Sequence, residues 1–493
     1  MTRPCVNFVL LLLIGGCCAK SGPKVIVVGA GASGIAAATR LLKNGIDDVT
    51  ILEAENRIGG RINSVKFGDA YVDLGAQWCH GQGGNVVYEL VKDLNILVSD
   101  KSPNPILVHS KLKVIDPGFA FRFLAIFFRI YGGDLKGVNE TLGDYVTKKY
   151  SDAVEKVWSN DAEKLGVAHD ALDLLEKMVL PYKGAFSWFS LAAHSDFVNS
   201  DGDQYLAWNG RGYKTILEVL MQKFPDPKNA LPIDDKILLN KEVSEINWNS
   251  KVDGEEKVVV TCTDQTQFVA DHVILTVSLG VLKNQHKSLI QPPLTDDKTR
   301  AVDQLGMDAI MKVMLYFEQP WWNNTFPGYA FLWSADDLTH SFEGPAKVNG
   351  KSWITALSFL FPVLGNPNVL SAWFTGPFIP EIERISDEML VNGIMHVMSK
   401  FEVQTDPIRP QNVTRHGWYT NPHFRGTYSY DTLESHVDGR SKRTILSEPL
   451  ATSEGNVRLL FAGEATDPTQ YSSVHGAIRS GFREADRLLK IHS

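Results

Sequence analysis

Four residues near the N terminus could together bind a dinucleotide. Gly29, Gly31 and Gly34 form a Gly-x-Gly-x-x-Gly pattern. In this pattern the first glycine permits a tight turn, the second lets the backbone approach a pyrophosphate, and the third lets a helix pack closely on a strand. Glu53 lies 19 residues after Gly34, at the distance where a carboxylate can accept hydrogen bonds from an adenosine ribose. The residues therefore predict a dinucleotide site; the alternative is a glycine turn without a ligand.

The segments around these glycines have the patterns that such a site needs. Lys24–Val28 is a short β-branched run, typical of a strand buried on both faces. Apolar residues then recur at helical spacing from Ile35 to Leu42, and Asn44-Gly45 provides a stop signal. Val49–Leu52 is a second strand pattern. Together they predict a βαβ unit whose helix N terminus faces the anion.

The composition limits the class of protein and of partner. The chain has 493 residues, of which 44% are hydrophobic and 22% charged, as in ordinary globular proteins. Its formal net charge of −8 provides no basic field for nucleic acid, and it favours a cationic small molecule. Only Cys79 and Cys262 lie beyond the first eighteen residues, so the cysteines predict neither a metal site nor a disulfide framework. Cys79 is expected to be a small buried residue rather than a nucleophile.

The first nineteen residues have the pattern of a signal peptide. Arg3 precedes an apolar run from Phe8 to Ile14, and small residues follow up to Ala19. The alternative is a membrane anchor, but the run is shorter than the roughly 20 apolar residues of a membrane span. Glycosylation sequons at Asn139, Asn323 and Asn412 favour a secreted protein or one of the secretory pathway.

Several further elements can be predicted from periodicity. We expect a buried helix at Phe121–Arg129 and an amphipathic helix at Ala477–Leu489. The remaining predictions are a helix at Ala162–Lys177 and strands at Val258–Cys262, His272–Val277, Ala309–Phe317 and Val457–Ala462. Trp321 and Trp322 are expected to be core aromatic residues.

Three motifs identify a resemblance to a known family. Glu55–Arg61, Asp73–Trp78 and Leu460–Ala465 resemble the flavin-contact motifs of the flavin-dependent amine oxidases. Within that family, the chain is most similar to the animal polyamine oxidases, the spermine and acetylpolyamine oxidase group. The residues that carry this similarity are Trp78–Gly81, Trp418, Asn421–Tyr430 and Tyr471–Ala477.

The resemblance implies an α/β and α+β fold with two interleaved domains. A Rossmann-like FAD-binding domain would be assembled from the discontinuous segments 24–95, 235–290 and 445–490. A substrate domain with a mixed sheet and helices would comprise 96–234 and 291–444. The resemblance says nothing of oligomeric state.

The resemblance also implies which residues contact FAD. It places the pyrophosphate at the N-terminal glycines, the ribose on Glu53, the ribityl chain near Glu464, and the adenine near Val243. The full implied set is Gly29, Gly31, Ser33, Gly34, Glu53, Arg61, Gly75, Ala76, Gln77, Trp78, Val243, Trp418, Glu464, Ser473 and Val474. Monoamine oxidases attach the flavin through a cysteine at the position of Thr427, so the FAD here is expected to be non-covalent. His475 is expected to orient the backbone near the flavin.

Lys312 and His80 are the implied catalytic residues. Lys312 alternates with Met314 and Tyr316 along a strand pattern; from the residues alone it could be an edge lysine that reaches solvent. The resemblance instead implies that it holds a water beside the flavin. His80 follows Trp78-Cys79 and matches a histidine near the substrate amine, where it could accept or relay a proton. The alternative for His80 is an ordinary loop histidine.

Tyr428 and Ser473 are the other implied substrate contacts. Tyr428 alternates with Tyr430 on an extended segment, which core packing would also explain. The resemblance places Tyr428 on the substrate face of the flavin, and it places Ser473 where other relatives carry a second aromatic residue. This fits a polyamine tunnel better than a monoamine cage.

The implied reaction is FAD-dependent oxidation of a polyamine, either spermine, spermidine or an N-acetyl derivative. Hydride passes from a carbon beside a neutral amine to flavin N5, and O2 reoxidises the flavin to give H2O2, an aldehyde and a shorter amine. One alternative is a secreted L-amino-acid oxidase, which needs an arginine for the substrate carboxylate, and Arg425 is a candidate only by its position. Another is a flavoprotein that binds an amine without oxidising it.

Overall fold

The computed structural model describes residues 22–102, 104–403, 408–436 and 439–493. The predicted signal peptide at 1–19 lies outside the described residues. The α-helices of the described chain are α1 (Ala32–Lys43), α2 (Val86–Val91), α3 (Pro117–Tyr131), α4 (Leu142–Val157), α5 (Ala162–Lys183), α6 (Thr215–Leu220), α7 (Leu279–Leu289), α8 (Asp296–Gln304), α9 (Ile379–Ile382), α10 (Asp387–Lys400), α11 (Lys442–Ser447) and α12 (Val474–Ile491).

The strands fall along the whole described chain. They are β1 (Val25–Val28), β2 (Val49–Leu52), β3 (Ser64–Phe67), β4 (Ala70–Asp73), β5 (Val98–Ser99), β6 (Ile106–His109), β7 (Lys113–Val114), β8 (Leu206–Ala207), β9 (Ile237–Leu238), β10 (Val243–Val252), β11 (Glu255–Cys262), β12 (Gln267–Ala270), β13 (His272–Leu275), β14 (Ile290–Gln291), β15 (Gly306–Asp308), β16 (Met311–Tyr316), β17 (Tyr329–Leu332), β18 (Leu357–Val363), β19 (Asn366–Phe374), β20 (Asn412–Arg415), β21 (Tyr428–Tyr430), β22 (Leu450–Ala451) and β23 (Val457–Phe461).

A six-stranded sheet forms the nucleotide-binding half of the fold. Its order is β22-β23-β13-β1-β2-β9, and all neighbours are parallel except β22 with β23. β1 is buried on both faces, as predicted: Val25 and Val27 pack with α1 and α12, and Ile26 and Val28 pack on the other side. The predicted Rossmann-like sheet, built from separated segments of the chain, is confirmed. The division into two domains at the stated boundaries stays a prediction.

The first and last helices pack against each other beside this sheet. A Cβ on Gly481 of α12 would lie 2.2 Å from the carbonyl oxygen of Ser33 in α1, so only glycine permits this approach. The hydroxyl of Ser480 lies 3.2 Å from that of Ser33 and accepts a 2.8 Å hydrogen bond from the N–H of Gly463. The helix predicted at Ala477–Leu489 is confirmed, with three additional residues at its N-terminal end.

A second, seven-stranded sheet has the order β20-β16-β19-β18-β17-β6-β7. β16 lies between two antiparallel neighbours, so Lys312 is not on an edge strand. The predicted alternation is confirmed: Met311, Val313 and Leu315 lie in the main core of this sheet, and Met314 packs with Val72 and Leu74 on the opposite face. Trp321 and Trp322 pack against the main core but are only half-buried.

The prediction for residues 121–129 is right about the helix and wrong about its burial. Asp116 caps α3 by accepting a 2.8 Å hydrogen bond from the N–H of Phe119. Only Ala120, Phe123 and Phe127 of this helix are buried. Phe121 is 72% exposed and Phe128 51% exposed. Hydrophobic content alone misled the prediction, because it does not show which side of a helix faces the core.

Candidate active site

The N-terminal end of α1 has free backbone donors beside a tight turn. Gly31, the N-cap residue, makes no side-chain capping bond, which leaves N–H groups for an anion. A Cβ on Gly34 would lie 1.9 Å from the carbonyl oxygen of Gly29. Gly34 therefore permits the close packing predicted for the third glycine of the pattern; the contact of Gly31 with a pyrophosphate stays a prediction.

The Glu53 carboxylate lies next to this turn. Its oxygens accept hydrogen bonds from the N–H of Ala30 at 2.7 Å and of Glu55 at 2.9 Å. Burial raises the pKa of Glu53, although these two N–H groups favour its charged form. The N–H of Lys241 donates to the Glu53 carbonyl at 2.7 Å, which brings buried Val243, two residues further on, into the same region.

Arg61 and Glu464 form an ion pair between the two ends of the chain. Their Nη1 and Oε1 atoms are 2.8 Å apart, and the same Nη1 donates to the Thr427 carbonyl at 2.9 Å. Ser429 Oγ donates to Glu464 Oε2 at 2.7 Å. Burial alone would raise the pKa of Glu464, but Arg61 and Arg443 lower it below its ordinary value. The carboxylate is therefore charged and fixed.

Arg443 is a functional residue that the sequence did not indicate. Its guanidinium is 2% exposed, donates two N–H groups to Asp431, and donates to Ser429 Oγ at 2.7 Å. It also stacks 3.4 Å from the centroid of the Tyr471 ring. Arg443 supports Glu464 through Ser429, yet its local sequence resembles an exposed polar segment, so no sequence signal could have found it.

Lys312 is buried in the middle of the molecule. It is 4% exposed, and its Nζ donates to the Gly75 carbonyl at 2.7 Å and to Gln77 Oε1 at 3.0 Å. Burial lowers the pKa of Lys312 to about 8, against the opposing effect of Asp73. The solvent-exposed alternative for Lys312 is therefore wrong. The structure brings Lys312 to the segment Gly75–Trp78, as the implied site requires.

Asp73 is the first residue of the Asp73–Trp78 motif. Like Arg443, it was not assigned to the site from the sequence. Its Oδ1 accepts hydrogen bonds from Ser64 Oγ and, at 3.0 Å, from the N–H of Tyr213. Burial raises the pKa of Asp73 to about 6, while Ser64, Lys312 and the Tyr213 N–H favour its charged form. The negative charge of Asp73 raises the pKa of Lys312 and so favours its ammonium form, against the larger opposite effect of burial.

Aromatic rings connect Lys312 to the predicted substrate region. Lys312 Nζ lies 5.3 Å from the Trp373 ring centroid, and Trp373 stacks on Trp78 with centroids 5.9 Å apart. Trp418 Nε1 donates to the Leu74 carbonyl at 3.1 Å. Trp418 and Trp373 thus contact the two ends of the Leu74–Trp78 segment.

His80 lies at the outer end of this aromatic series. Its ring centroid is 6.4 Å from that of Trp78 and 6.5 Å from that of Tyr205, and its Nδ1 is 2.6 Å from the Gln204 carbonyl oxygen. Because a carbonyl only accepts, Nδ1 carries the hydrogen and Nε2 is left for another partner. Burial lowers the pKa of His80, so its neutral form is favoured.

His475 has a buried ring nitrogen that could bind a polar group of a ligand. Its Nε2 is buried without a hydrogen bond, and burial lowers its pKa to about 4, with a further contribution from His80. His475 is the second residue of α12, after the N-cap residue Ser473 and the first helical residue Val474.

Tyr428 and Ser473 are the sequence neighbours of Ser429 and Ser472, which are joined by a hydrogen bond. Tyr428 is half-buried in β21, and its hydroxyl donates to the Pro181 carbonyl. Ser472 Oγ donates to the Ser429 carbonyl. Ser473 caps α12, because its Oγ accepts from the N–H of Gly476 at 3.0 Å and donates to the Gln470 carbonyl at 2.5 Å. The Ser473 hydroxyl is thus already engaged with the backbone.

The chemistry of the predicted cofactor contacts fits a flavin dinucleotide. Nine residues of the implied FAD set are partly accessible: Gly29, Gly31, Arg61, Gly75, Ala76, Gln77, Trp78, Ser473 and Val474. The free N–H groups of α1 suit a pyrophosphate, the buried Glu53 suits ribose hydroxyls, and the orphaned His475 Nε2 offers one polar atom. The residues present therefore fit the cofactor.

Comparison with known proteins supports a flavin cofactor. The family model for flavin containing amine oxidoreductases matches residues 32–489. The chain belongs to this family. The prediction of a flavin enzyme of the amine oxidase type is therefore confirmed.

Individual relatives of this flavin amine oxidoreductase match over nearly its full length. The human peroxisomal N(1)-acetyl-spermine/spermidine oxidase is 29% identical, covering 96% of each chain. A probable polyamine oxidase of Arabidopsis thaliana is 27% identical over 95% of this chain and 98% of its own. A solved double mutant of putrescine oxidase has a TM-score of 0.63 at 17% identity, covering 95% of this chain and 99% of that one, which confirms the fold class.

The structure also shows the surroundings of Cys79 and Arg425, the two other residues singled out from the sequence. Cys79 is fully buried, and burial raises its pKa to about 12, so it is not a nucleophile at neutral pH. Arg425 lies with its backbone against Gly280 at the start of α7, and its Nε has no hydrogen-bond partner. In the described ranges, no group of side chains could hold a metal ion. No helix there has the length and apolar character to cross a membrane.

Proposed function

We propose that this flavin amine oxidoreductase oxidises polyamines: spermine, spermidine or their N-acetyl derivatives. The names of the human and Arabidopsis relatives support a polyamine substrate. The observation that carries the proposal is a pair of carboxylates beside the aromatic residues that surround His80.

These carboxylates are Asp100 and Asp203. A hydrogen bond from Ser99 lowers the pKa of Asp203, and the positive charge of Lys101 contributes to the same shift. Asp100 Oδ2 accepts from Trp78 Nε1 at 3.1 Å, and Asp203 Oδ1 accepts from the N–H of Tyr205 at 2.9 Å. The rings of Trp78 and Tyr205 meet edge to face with centroids 5.7 Å apart. No ion pair involves either aspartate in the described part of the chain. Two unpaired carboxylates beside aromatic faces suit a chain of ammonium groups.

The neutral state of His80 suits oxidation of an amine. The reacting nitrogen must be unprotonated, because its lone pair stabilises the cationic product of hydride loss. With Nδ1–H held by Gln204, His80 Nε2 can accept a hydrogen bond or proton from the approaching ammonium. The bound FAD supplies the two-electron acceptor for the hydride, and O2 takes up those electrons afterwards.

Lys312 has a different role in the proposal. Its Nζ is fixed by Gly75 and Gln77, which leaves one donor hydrogen or, after deprotonation, a lone pair for a water molecule. A pKa near 8 lets Lys312 change charge close to neutral pH. The lysine thus holds a proton next to the predicted flavin segment.

A product assay tests the proposed function. The purified flavoprotein is incubated in air with spermine, N-acetylspermine, spermidine, a monoamine and L-leucine, and H2O2 and aldehyde are quantified. We expect equal amounts of H2O2 and aldehyde from at least one polyamine. Turnover of L-leucine alone would favour an amino-acid oxidase, and no turnover of any compound would favour a binding protein.

We also propose that the protein enters the secretory pathway. The three sequon asparagines, Asn139, Asn323 and Asn412, are all exposed, as glycosylation requires. Expression in secreting eukaryotic cells followed by glycosidase treatment tests this. A protein that stays in the cytosol without glycans would contradict it.

A further inference from the structure

The exposed side of α3 combines phenylalanines with arginines. We define the α3 face as Phe121, Arg122, Phe128 and Arg129. These residues recur at a spacing of seven, so they lie on one side of the helix. Phe121 is 72% exposed and Phe128 51% exposed. Both arginines are also exposed, although the Arg122 guanidinium lies 5.4 Å from the ring centroid of Trp158.

Charge around this face differs from that of the whole chain. The helix itself contains no acidic residue. Of the five basic side chains in residues 111–136, Lys111 and Lys113 form ion pairs with Asp336 and Glu402. This leaves Arg122, Arg129 and Lys136 against two acidic side chains, Asp116 and Asp134, whereas the whole chain has a net charge of −8. The adjacent β6–β7 turn adds exposed apolar side chains, with Leu112 45% and Val114 59% exposed. An apolar patch with a local basic excess is thus present on an acidic protein.

We propose that the α3 face binds the surface of a phospholipid membrane, with its phenylalanines in the interfacial layer and its arginines on headgroup phosphates. A helix that exposes Phe together with basic residues, and no acidic ones, has the composition of interfacial helices. Guanidinium groups bind phosphate through paired hydrogen bonds. The 15 residues of α3 extend about 22 Å, too short to cross a bilayer core of about 30 Å. The helix therefore lies on the membrane.

A second copy of the chain fits this face less well. A symmetric dimer places the same patch on both sides of the interface. The α3 face would then bring Arg122 and Arg129 of one protomer against those of the other without an acidic partner on the helix. Like charges at such an interface are unfavourable. A phosphate surface satisfies these arginines instead.

The position of α3 gives membrane binding a consequence for the active site. Tyr131, in its last turn, packs on the same hydrophobic cluster as Trp78 and Tyr428. Tyr182, near the end of α5, is 60% exposed. Its hydroxyl oxygen lies 2.7 Å from the hydroxyl oxygen of Tyr205. Tyr205 in turn contacts Trp78 and His80. Docking through α3 would therefore connect the membrane-bound helix, through this hydrophobic cluster, to the aromatic residues around His80.

Vesicle co-sedimentation tests the proposal with the purified flavoprotein. The vesicles consist of phosphatidylcholine alone or of phosphatidylcholine mixed with phosphatidylserine. We expect binding to both, stronger binding with phosphatidylserine, and weakening of that difference as salt rises. Phe121→Ser/Phe128→Ser should lower the partition coefficient by about tenfold or more on both vesicle types. Arg122→Ser/Arg129→Ser should lower it chiefly on the phosphatidylserine vesicles.

Matched variants distinguish the α3 face from other apolar surface. Leu364→Ser/Ile491→Ser removes two side chains of 47% and 46% exposure outside this face and should leave binding unchanged. The N-terminal apolar segment is the same in every variant, so a difference reports on α3. Equal binding by the phenylalanine variant and the parent protein would overturn the proposal. It would also be overturned if the parent did not sediment with vesicles, or if it formed a dimer that this variant dissociates.

Discussion

The Lys312 ammonium donates a 2.7 Å hydrogen bond to the carbonyl oxygen of Gly75. This bond joins strand β16 of the seven-stranded sheet to the segment that the family motif assigns to the flavin. Lys312 is thereby fixed beside the predicted cofactor segment by a residue that is 237 positions away in the chain. Its role there can be separated from its role in folding.

Replacing Lys312 by methionine should slow flavin reduction, flavin reoxidation or both by about 100-fold, because a positioned proton donor is lost. FAD should remain bound, since the other residues of the predicted cofactor site are unchanged. Stopped-flow absorbance of each half-reaction measures the effect. If the variant were purified without flavin, Lys312 would have a structural role instead.

The pH dependence of stability should also change in the Lys312→Met variant. Burial lowers the pKa of folded Lys312 to about 8 from 10.5, so between these pH values the unfolded chain binds more protons than the folded one. The free energy of unfolding contributed by Lys312 therefore rises with pH across this window, by about 2 kcal/mol from pH 7.5 to 10. Denaturant unfolding should show that the parent gains stability relative to Lys312→Met over this range. A constant difference would show that the lysine is not desolvated.

Arg61→Met should lower both FAD affinity and stability. Glu464 is 4% exposed, and loss of its partner leaves a buried carboxylate less compensated, at a cost of about 3 kcal/mol. Arg40→Met is a suitable control, because Arg40 pairs with Asp486 at the surface, with side-chain exposures of 41% and 48%, and such pairs contribute less than about 1 kcal/mol. Thermal unfolding and FAD titration compare the two variants. Equal effects would contradict the assigned role of the Arg61–Glu464 pair.

Gly34→Ala should abolish flavin binding or folding of the first helix. The added Cβ would lie 1.9 Å from the Gly29 carbonyl oxygen, and backbone must then move at the predicted pyrophosphate turn. In Gly166→Ala, by contrast, no atom lies within 4 Å of the new Cβ, and the helix should gain up to about 1 kcal/mol. The flavin-to-protein absorbance ratio and the melting temperature report both outcomes. Normal flavin content in Gly34→Ala would show that the turn is not part of the site.

Asp100→Asn/Asp203→Asn should raise KM for spermine by about tenfold while changing kcat little, because these carboxylates attract the substrate rather than react with it. The effect should be smaller at high salt. Asp235→Asn/Asp253→Asn, at two exposed positions outside this site, serves as the charge-matched control. A KM that stays the same in Asp100→Asn/Asp203→Asn, or rises equally in the control, would contradict the role of these carboxylates in substrate attraction.

Sequence patterns predicted the parts of the molecule that depend on local spacing. The Gly29–Gly34 turn, the buried strand β1 and the alternation around Lys312 could all be predicted, because each follows from a short period or a fixed glycine position. Bringing Lys312 to Gly75 required the family resemblance, since no local rule places residues so distant in the sequence together.

Features that depend on tertiary surroundings could not be predicted. The role of Arg443 depends on Ser429, Asp431 and Tyr471 meeting it in space, and nothing in the local sequence marks it. For α3, the apolar content suggested burial, yet the fold covers only one side of the helix. The sequence does not show which side of α3 is covered by the rest of the protein. The exposed phenylalanines, and with them the membrane proposal, are therefore visible only in the structure.

The most direct test of polyamine oxidation is anaerobic reduction of the flavin in the purified protein. Spermine, N-acetylspermine, spermidine, a monoamine and L-leucine are added separately without oxygen, and the flavin absorbance band is followed. We expect bleaching by at least one polyamine, faster than by the monoamine or L-leucine. Bleaching by L-leucine but by none of the polyamines would contradict it.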